Sequence, residues 1–168
     1  PPHLVPLVEI SRGPDTSEET ARTACDFFKR IRKEPILLKK ESLGFVANRY
    51  QAVLDREIAD LVGRGVVSLE DANRAITYGP GFRYAVMGPS LVYDLGSPTG
   101  LRGLMANMAG SGINLLEDVA NWTVDPNPTD PTYLDQVDAM RAALPGGAGA
   151  SRESACQWRD EMLIAQLR

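Results

Sequence analysis

Three side chains in this sequence combine a reactive type with a suggestive setting: Glu9, Asn48 and Arg83. Glu9 sits near the end of an apolar run, Leu4-Val5-Pro6-Leu7-Val8-Glu9-Ile10. It reads either as a solvent-facing carboxylate on an edge strand or as a carboxylate held in a cleft to orient a histidine. In the second setting it would stabilise the imidazolium and raise that histidine's basicity. Asn48 lies in Leu43-Gly44-Phe45-Val46-Ala47-Asn48-Arg49-Tyr50-Gln51, where a glycine opens a long apolar helix. A carboxamide there can offer a donor and an acceptor at the base of a substrate cleft, or it can join two helices by a buried hydrogen bond. The adjacent Arg49 reads as a partner for Asp55, Glu57 or another chain. Arg83 could grip a carboxylate through two parallel hydrogen bonds, a group that a free hydroxy acid has and a thioester lacks. Its alternative is a structural salt bridge.

Other chemistries find little support. No G-x-G-x-x-G follows a strand, and no G-x-x-x-x-G-K-[ST] occurs. The single histidine, His3, has no second histidine with which to form a histidine-rich metal site, so no metal is expected. Cys25 and Cys156 lie far apart without ligand spacing and read as reduced thiols, at least one facing the core. The 18 basic and 22 acidic residues give a net charge of -4, with no electrostatic footprint for nucleic acid or an anionic membrane. No apolar run approaches the ~20 residues of a membrane span, and no signal peptide is visible. The expected compartment is cytoplasmic. The run Lys29-Arg30-Ile31-Arg32-Lys33 reads as a solvated helix end.

The elements that must position these residues are mostly helical. Residues 4–10 form a short extended segment, with Pro6 arguing for an edge. Thr16 and Glu19 have capping-box spacing, which predicts a helix from about Ser17 to Lys33 with Ala21, Ala24, Cys25, Phe28 and Ile31 on its buried stripe. Pro35 ends that helix, and Ile36-Leu37-Leu38 is a second extended piece. A long helix from about Gly44 to Arg64 carries apolar residues on more than one face and should be buried on most sides. Gly63 and Gly65 mark its end. Ser68 and Asp71 cap a helix to about Tyr78, followed by a loop from Gly79 to Pro89. Pro89 to Leu95 and Gly100 to Asn121 read as helical, and Asp125 to Pro131 as a connector. Asp130 and Pro131 cap a helix through Leu144, Gly146 to Ala150 form a flexible joint, and Ser151 caps a last helix running to the C-terminus. The start at Pro1-Pro2-His3, without methionine and followed at once by apolar residues, reads as a cut from a longer polypeptide.

Several motifs together resemble one family. Pro1-Pro2-His3-Leu4-Val5-Pro6-Leu7-Val8-Glu9 is similar to the tail of the H-P-x-N-P-P-x-x-x-P-L-V-E signature of the 3-hydroxyacyl-CoA dehydrogenase family. Gly44-Phe45-Val46-Ala47-Asn48-Arg49 resembles its G-F-[IV]-x-N-R. Ser68-Leu69-Glu70-Asp71 resembles its S-x-E-D-I-D, and Met87-Gly88-Pro89 its M-G-P. These fall in order over about residues 1 to 95. Arg83-Tyr84-Ala85 and Gln157-Trp158-Arg159-Asp160-Glu161 more loosely resemble the branch of lambda-crystallin, an L-gulonate 3-dehydrogenase, and the carnitine dehydrogenases.

The resemblance implies an all-α domain of the 6-phosphogluconate dehydrogenase C-terminal type with a short N-terminal extended segment. Residues 1–15 would be the end of a Rossmann domain and its linker, and residues 16–168 the helical substrate and dimerisation domain. It implies NAD-dependent oxidation of a 3-hydroxyl to a 3-keto group in a homodimeric parent enzyme acting on a 3-hydroxyacyl-CoA. The alternatives are a free 3-hydroxy acid as substrate, or a non-catalytic dimerisation module. Glu9 corresponds to the acid that pairs with the family's catalytic histidine, and Asn48 to the asparagine near the reacting oxygen. That histidine precedes residue 1 in the signature, and His3, after the proline pair, does not match it. The NAD-binding domain is also outside the sequence, so the chain alone is expected to be inactive. Trp122 and Trp158 are expected at the dimer interface.

Overall fold

The computed structural model describes residues 2–110, 115–121 and 131–166. It divides into two compact units, Pro1–Ala52 with Val137–Arg168, and Val53–Gln136.

The first unit opens with a β-α-β crossover. Strand β1 (Leu7–Ile10), helix α1 (Glu18–Arg30) and strand β2 (Glu34–Leu37) follow in order, and the strands pair in parallel with Glu9 opposite Ile36. Parallel pairing requires a crossover, which α1 supplies. The Ser17 hydroxyl, rather than that of Thr16, caps α1 by accepting from the Thr20 N–H at 3.0 Å. Glu18 and Glu19 in the first turn and Lys29 and Arg30 in the last suit the helix dipole. Arg22 pairs with Glu18, and the guanidinium holds that carboxyl below its usual range, through their hydrogen bond first and their charges second.

The ends of these elements depart from the sequence pattern. Arg32, with φ 61°, ends α1, and Pro35 lies inside β2. Glu34 and Leu38 donate their N–H groups to Pro6 and Ile10. With that alternation the ring nitrogen of Pro35 points away from β1, so the missing donor costs the ladder nothing. Ala21 is buried and Ala24, Cys25 and Phe28 are half-buried, whereas Ile31 is exposed past the helix end. Lys33 is more than a solvated cation, because its Nζ donates to the carbonyls of Pro2 and Val5 and ties down the approach to β1. Both cysteines are free and half-buried.

Helix α2 (Ala47–Gly63) begins three residues later than its glycine suggests and crosses the division between the units after Ala52. It is far more exposed than its composition implies: Tyr50, Val53 and Leu54 face solvent, and its one buried residue is Asp60. Arg64 pairs with Asp60 at 3.1 Å and lies 3.7 Å from Asp118. At its C-terminus Gly65, with φ 71°, lets Gly65 and Val66 donate back to Val62 and Leu61.

The second unit continues with α3 (Leu69–Tyr78), α4 (Pro80–Tyr84), α5 (Pro89–Leu95), α6 (Gly100–Gly110) and α7 (Leu115–Ala120). Ser68 caps α3 through the Asp71 N–H, as its spacing predicts. The glycine- and proline-rich stretch after Tyr78 is not wholly loop, because Pro80 at the first helical position starts α4. At the next junction Asp94 of α5 accepts from the Leu101 N–H at 2.8 Å, just past Gly100 with φ 67°. The carboxylate therefore starts α6 from outside it. Leu69, Ala72 and Val92 are the buried apolar residues among those described in this unit.

Helices α8 (Pro131–Ala142) and α9 (Arg152–Gln166) follow. The expected Asp130 cap, the 125–130 connector and Trp122 lie outside the described residues, as do residues 111–114 of the expected Gly100–Asn121 helix. Pro145–Ala150, which includes the joint expected at Gly146 to Ala150, forms 3₁₀ turns with Gly146 and Gly147 at positive φ. The Ser151 hydroxyl caps α9 through the Ser154 N–H. The architecture is helical with one two-stranded parallel sheet, and no helix among the described residues is long and apolar enough to cross a membrane.

Replacing Ser68 by Ala removes the α3 cap and should lower unfolding free energy by about 1 kcal/mol. Urea denaturation of the chain and the variant measures it.

Candidate active site

The approach to α2 is an unusual turn. Phe45 donates its N–H to the Ser42 carbonyl at 2.9 Å, and both Gly44 (φ 75°) and Phe45 (φ 52°) take left-handed backbone conformations. Glycine adopts this freely, but an aromatic residue does so rarely and at a cost of about 1 kcal/mol or more. The turn delivers the first free N–H groups of the helix to Glu9 on β1. Glu9 Oε1 accepts from the Val46 N–H at 2.7 Å and from the Ala47 N–H at 3.4 Å, and Oε2 lies 3.4 Å from the same Ala47 nitrogen.

This geometry joins residues 37 and 38 positions apart in the chain. The amides at a helix start have no partner within the helix, and the N-terminal end of the dipole favours negative charge. A half-buried carboxylate from a neighbouring strand satisfies both conditions. Neither expectation for Glu9 included these amides. Backbone groups carry no residue-type signal, and the clue in the sequence was a glycine placed where a reversed turn must precede a helix.

Asn48 follows immediately after Ala47, so the Glu9 carboxylate anchors the turn that carries it. The Asn48 side chain is exposed. It makes no helix-to-helix hydrogen bond among the described residues and is free to meet a ligand. Arg49, also exposed, forms no ion pair with Asp55 or Glu57. On a helix only residues three or four apart face each other, and those acids lie six and eight residues on. Arg83, on α4 of the second unit, is exposed and makes no ion pair among the described residues, while its carbonyl accepts from Val86 and Met87. His3 reaches Asp160 at 4.0 Å, where Arg159 also binds the carboxylate. Trp158 is half-buried on α9. The described residues contain no glycine-rich turn between a strand and a helix of the kind that cradles a dinucleotide.

The contact between Glu9 and α2 has measurable consequences. Glu9→Ala would leave two half-buried N–H groups without their acceptor and should cost about 1–3 kcal/mol. Glu9→Gln keeps an acceptor oxygen and should cost less. Gly44→Ala meets only ordinary contacts, the nearest being Arg49 Cγ at 3.6 Å. It should therefore show the backbone penalty of about 1 kcal/mol alone. Urea unfolding of the three variants tests the order, and an unchanged Glu9→Ala would overturn the tether.

Residues 1–42 match the family described as 3-hydroxyacyl-CoA dehydrogenase, NAD binding domain, and residues 44–124 match its C-terminal domain. The join falls at Leu43, just before the reversed turn. A 3-hydroxyacyl-CoA dehydrogenase of Gibberella moniliformis is 46% identical over 112 residues, covering 67% of this chain and 35% of that protein. An L-carnitine dehydrogenase of Bacillus cereus is 35% identical over 171 residues, covering 100% of this chain and 50% of that protein. The crystal structure of a 5-formyl-3-hydroxy-2-methylpyridine 4-carboxylic acid 5-dehydrogenase, described as an NAD+-dependent dismutase, superposes with a TM-score of 0.67 at 27% identity. That superposition covers 98% of this chain and 51% of the other. The chain thus spans about half or less of the length of these relatives. With both parts of one family matched in order, and a carnitine dehydrogenase aligned over the whole of this chain, this chain belongs to the 3-hydroxyacyl-CoA dehydrogenase family, in its carnitine-dehydrogenase-like branch.

Proposed function

We propose that this chain is the substrate-cleft and dimerisation part of an NAD-dependent dehydrogenase that oxidises the 3-hydroxyl of an L-3-hydroxyacyl-CoA to a 3-keto group. NAD is the cofactor of the family, and in the whole protein it would accept the hydride. The observation that carries the reading is the Glu9 carboxylate fixed on the first turn of α2, one residue from Asn48. An ionised carboxylate has about four lone-pair sites. Two amides leave capacity on Oε2 for a ring N–H of a histidine supplied from before residue 1. Glu9 would then hold that imidazole in one tautomer and stabilise its protonated form after it takes the hydroxyl proton. Asn48 would hydrogen-bond the reacting oxygen as it becomes a carbonyl. The match of residues 1–42 to the NAD-binding part supports residues 1–15 as the end of a Rossmann domain and its linker, and favours extending that assignment through α1 and β2.

A second reading replaces the thioester by a free hydroxy acid. It is favoured by the likeness of the whole of this chain to part of a carnitine dehydrogenase and by Arg83, exposed and without an ion pair among the described residues. Its guanidinium could take a carboxylate in two parallel hydrogen bonds.

The test is NADH formation by the full-length protein with an L-3-hydroxyacyl-CoA and with L-carnitine. Glu9→Gln and Asn48→Ala should each lower kcat by about 100-fold or more, while the 168-residue chain alone gives no NADH. Wild-type rates in both variants would sink the catalytic roles. Arg83→Met should raise KM only for a free acid if Arg83 contacts substrate.

We further propose a homodimer. Tyr78, Phe82 and Val86 in the second unit are each at least three-quarters exposed, and a subunit interface would cover such apolar side chains. Light scattering on the full-length protein should give twice the chain mass, and a monomer at high concentration would refute it.

A further inference from the structure

Because β1 and β2 run in parallel, the segments leaving them emerge side by side at one edge of the sheet. These segments are residues 11–16 after β1 and residues 38–41 after β2, and together they line a cavity of about 260 Å³. Arg12, Lys39 and Lys40 all line it, against a single carboxylate, Glu41. Two half-buried residues with hydroxyls, Ser11 and Thr16, complete its polar wall.

The charge there is unbalanced. None of the three cations makes an ion pair or side-chain hydrogen bond among the described residues. The field of Arg12 reaches Glu18, but that carboxylate is already held by Arg22 at 2.6 Å. Three like charges around one small space repel, and one carboxylate offsets only part of that. The cavity lies beyond the carboxyl ends of the two parallel strands, the end of an α/β sheet at which ligands bind. A monocarboxylate would neutralise half of the net excess, whereas a phosphoryl dianion matches it and offers three acceptor oxygens to a guanidinium and two ammonium groups.

We propose that this cavity is a phosphoryl-binding site, in which Arg12, Lys39 and Lys40 hold a phosphate or pyrophosphate group. Neither Glu9 nor Asn48 lines the cavity, and the proposal does not depend on their catalytic reading. The same chemistry is presented by inorganic pyrophosphate, by coenzyme A and by a dinucleotide.

Titration calorimetry of the 168-residue chain with inorganic pyrophosphate at low salt tests it. Saturable binding with a Kd of about 1 mM or tighter is expected, weakened by added salt. Arg12→Gln should weaken it about tenfold, and Lys39→Gln with Lys40→Gln at least as much. A control pair on α1, Lys29→Gln with Arg30→Gln, removes equal charge elsewhere and should leave binding unchanged. Circular dichroism melts confirm that each variant folds. Tighter binding of coenzyme A than of dephospho-coenzyme A assigns the 3′-phosphate as the bound group, equal binding of the two assigns the pyrophosphate, and displacement by NAD assigns the dinucleotide. Absence of saturable pyrophosphate binding overturns the proposal. So does a loss in the α1 control equal to that in Lys39→Gln with Lys40→Gln, because the binding would then be nonspecific.

Discussion

A carboxylate on a strand, accepting the first free N–H groups of a helix, is the interaction on which the arrangement of the first unit depends. Glu9 and the amides of Val46 and Ala47 are brought together across 37 residues by two conditions. The strand must present Glu9 at the correct pleat, and the chain must reverse at Gly44 and Phe45 so that the helix points its amides toward the strand. Each condition is costly alone, the first because it half-buries an acid and the second because it places an aromatic residue at positive φ. Together they offset one another, since the acid finds donors and the donors find an acceptor. The result fixes the start of α2 with a precision that a short loop would not provide, and Asn48 inherits that precision.

The same device recurs in the second unit, where Asp94 of α5 starts α6 through Leu101 after Gly100 at positive φ. Helix starts set by acids from preceding elements reduce the dependence on a large apolar core. The described core is indeed small, with Ala21 in one unit and Leu69, Ala72 and Val92 in the other. Many large apolar side chains remain exposed, including Tyr50 on α2 and Tyr78 and Phe82 around α4. This exposed apolar surface supports the proposal that the chain works as one part of a larger assembly.

Parallel strand pairing has a second consequence. It places two cation-bearing segments at one edge of a sheet only two strands wide, and so gathers Arg12, Lys39 and Lys40, which look ordinary in the sequence, around one concavity. Glu9 also depends on this pairing, because its register opposite Ile36 places it at the centre of the ladder. One short β-α-β element therefore organises both the candidate catalytic region and the cation-lined cavity.

The sequence by itself determined the helical class, the caps at Ser68 and Ser151, the Gly65 stop and the family, because these rest on local rules or on motifs read in order. It also singled out Glu9 and Asn48 as residues out of keeping with their apolar neighbours. It misjudged Pro35, the start and burial of α2, and the partners of Lys33, all of which depend on groups distant in the chain or on the unsignalled backbone. Only the tertiary structure decided what Glu9 touches. A carboxylate's residue type says that it needs donors, but which donors it meets depends on strand register and a reversed turn 35 residues later, and no local pattern encodes that coincidence.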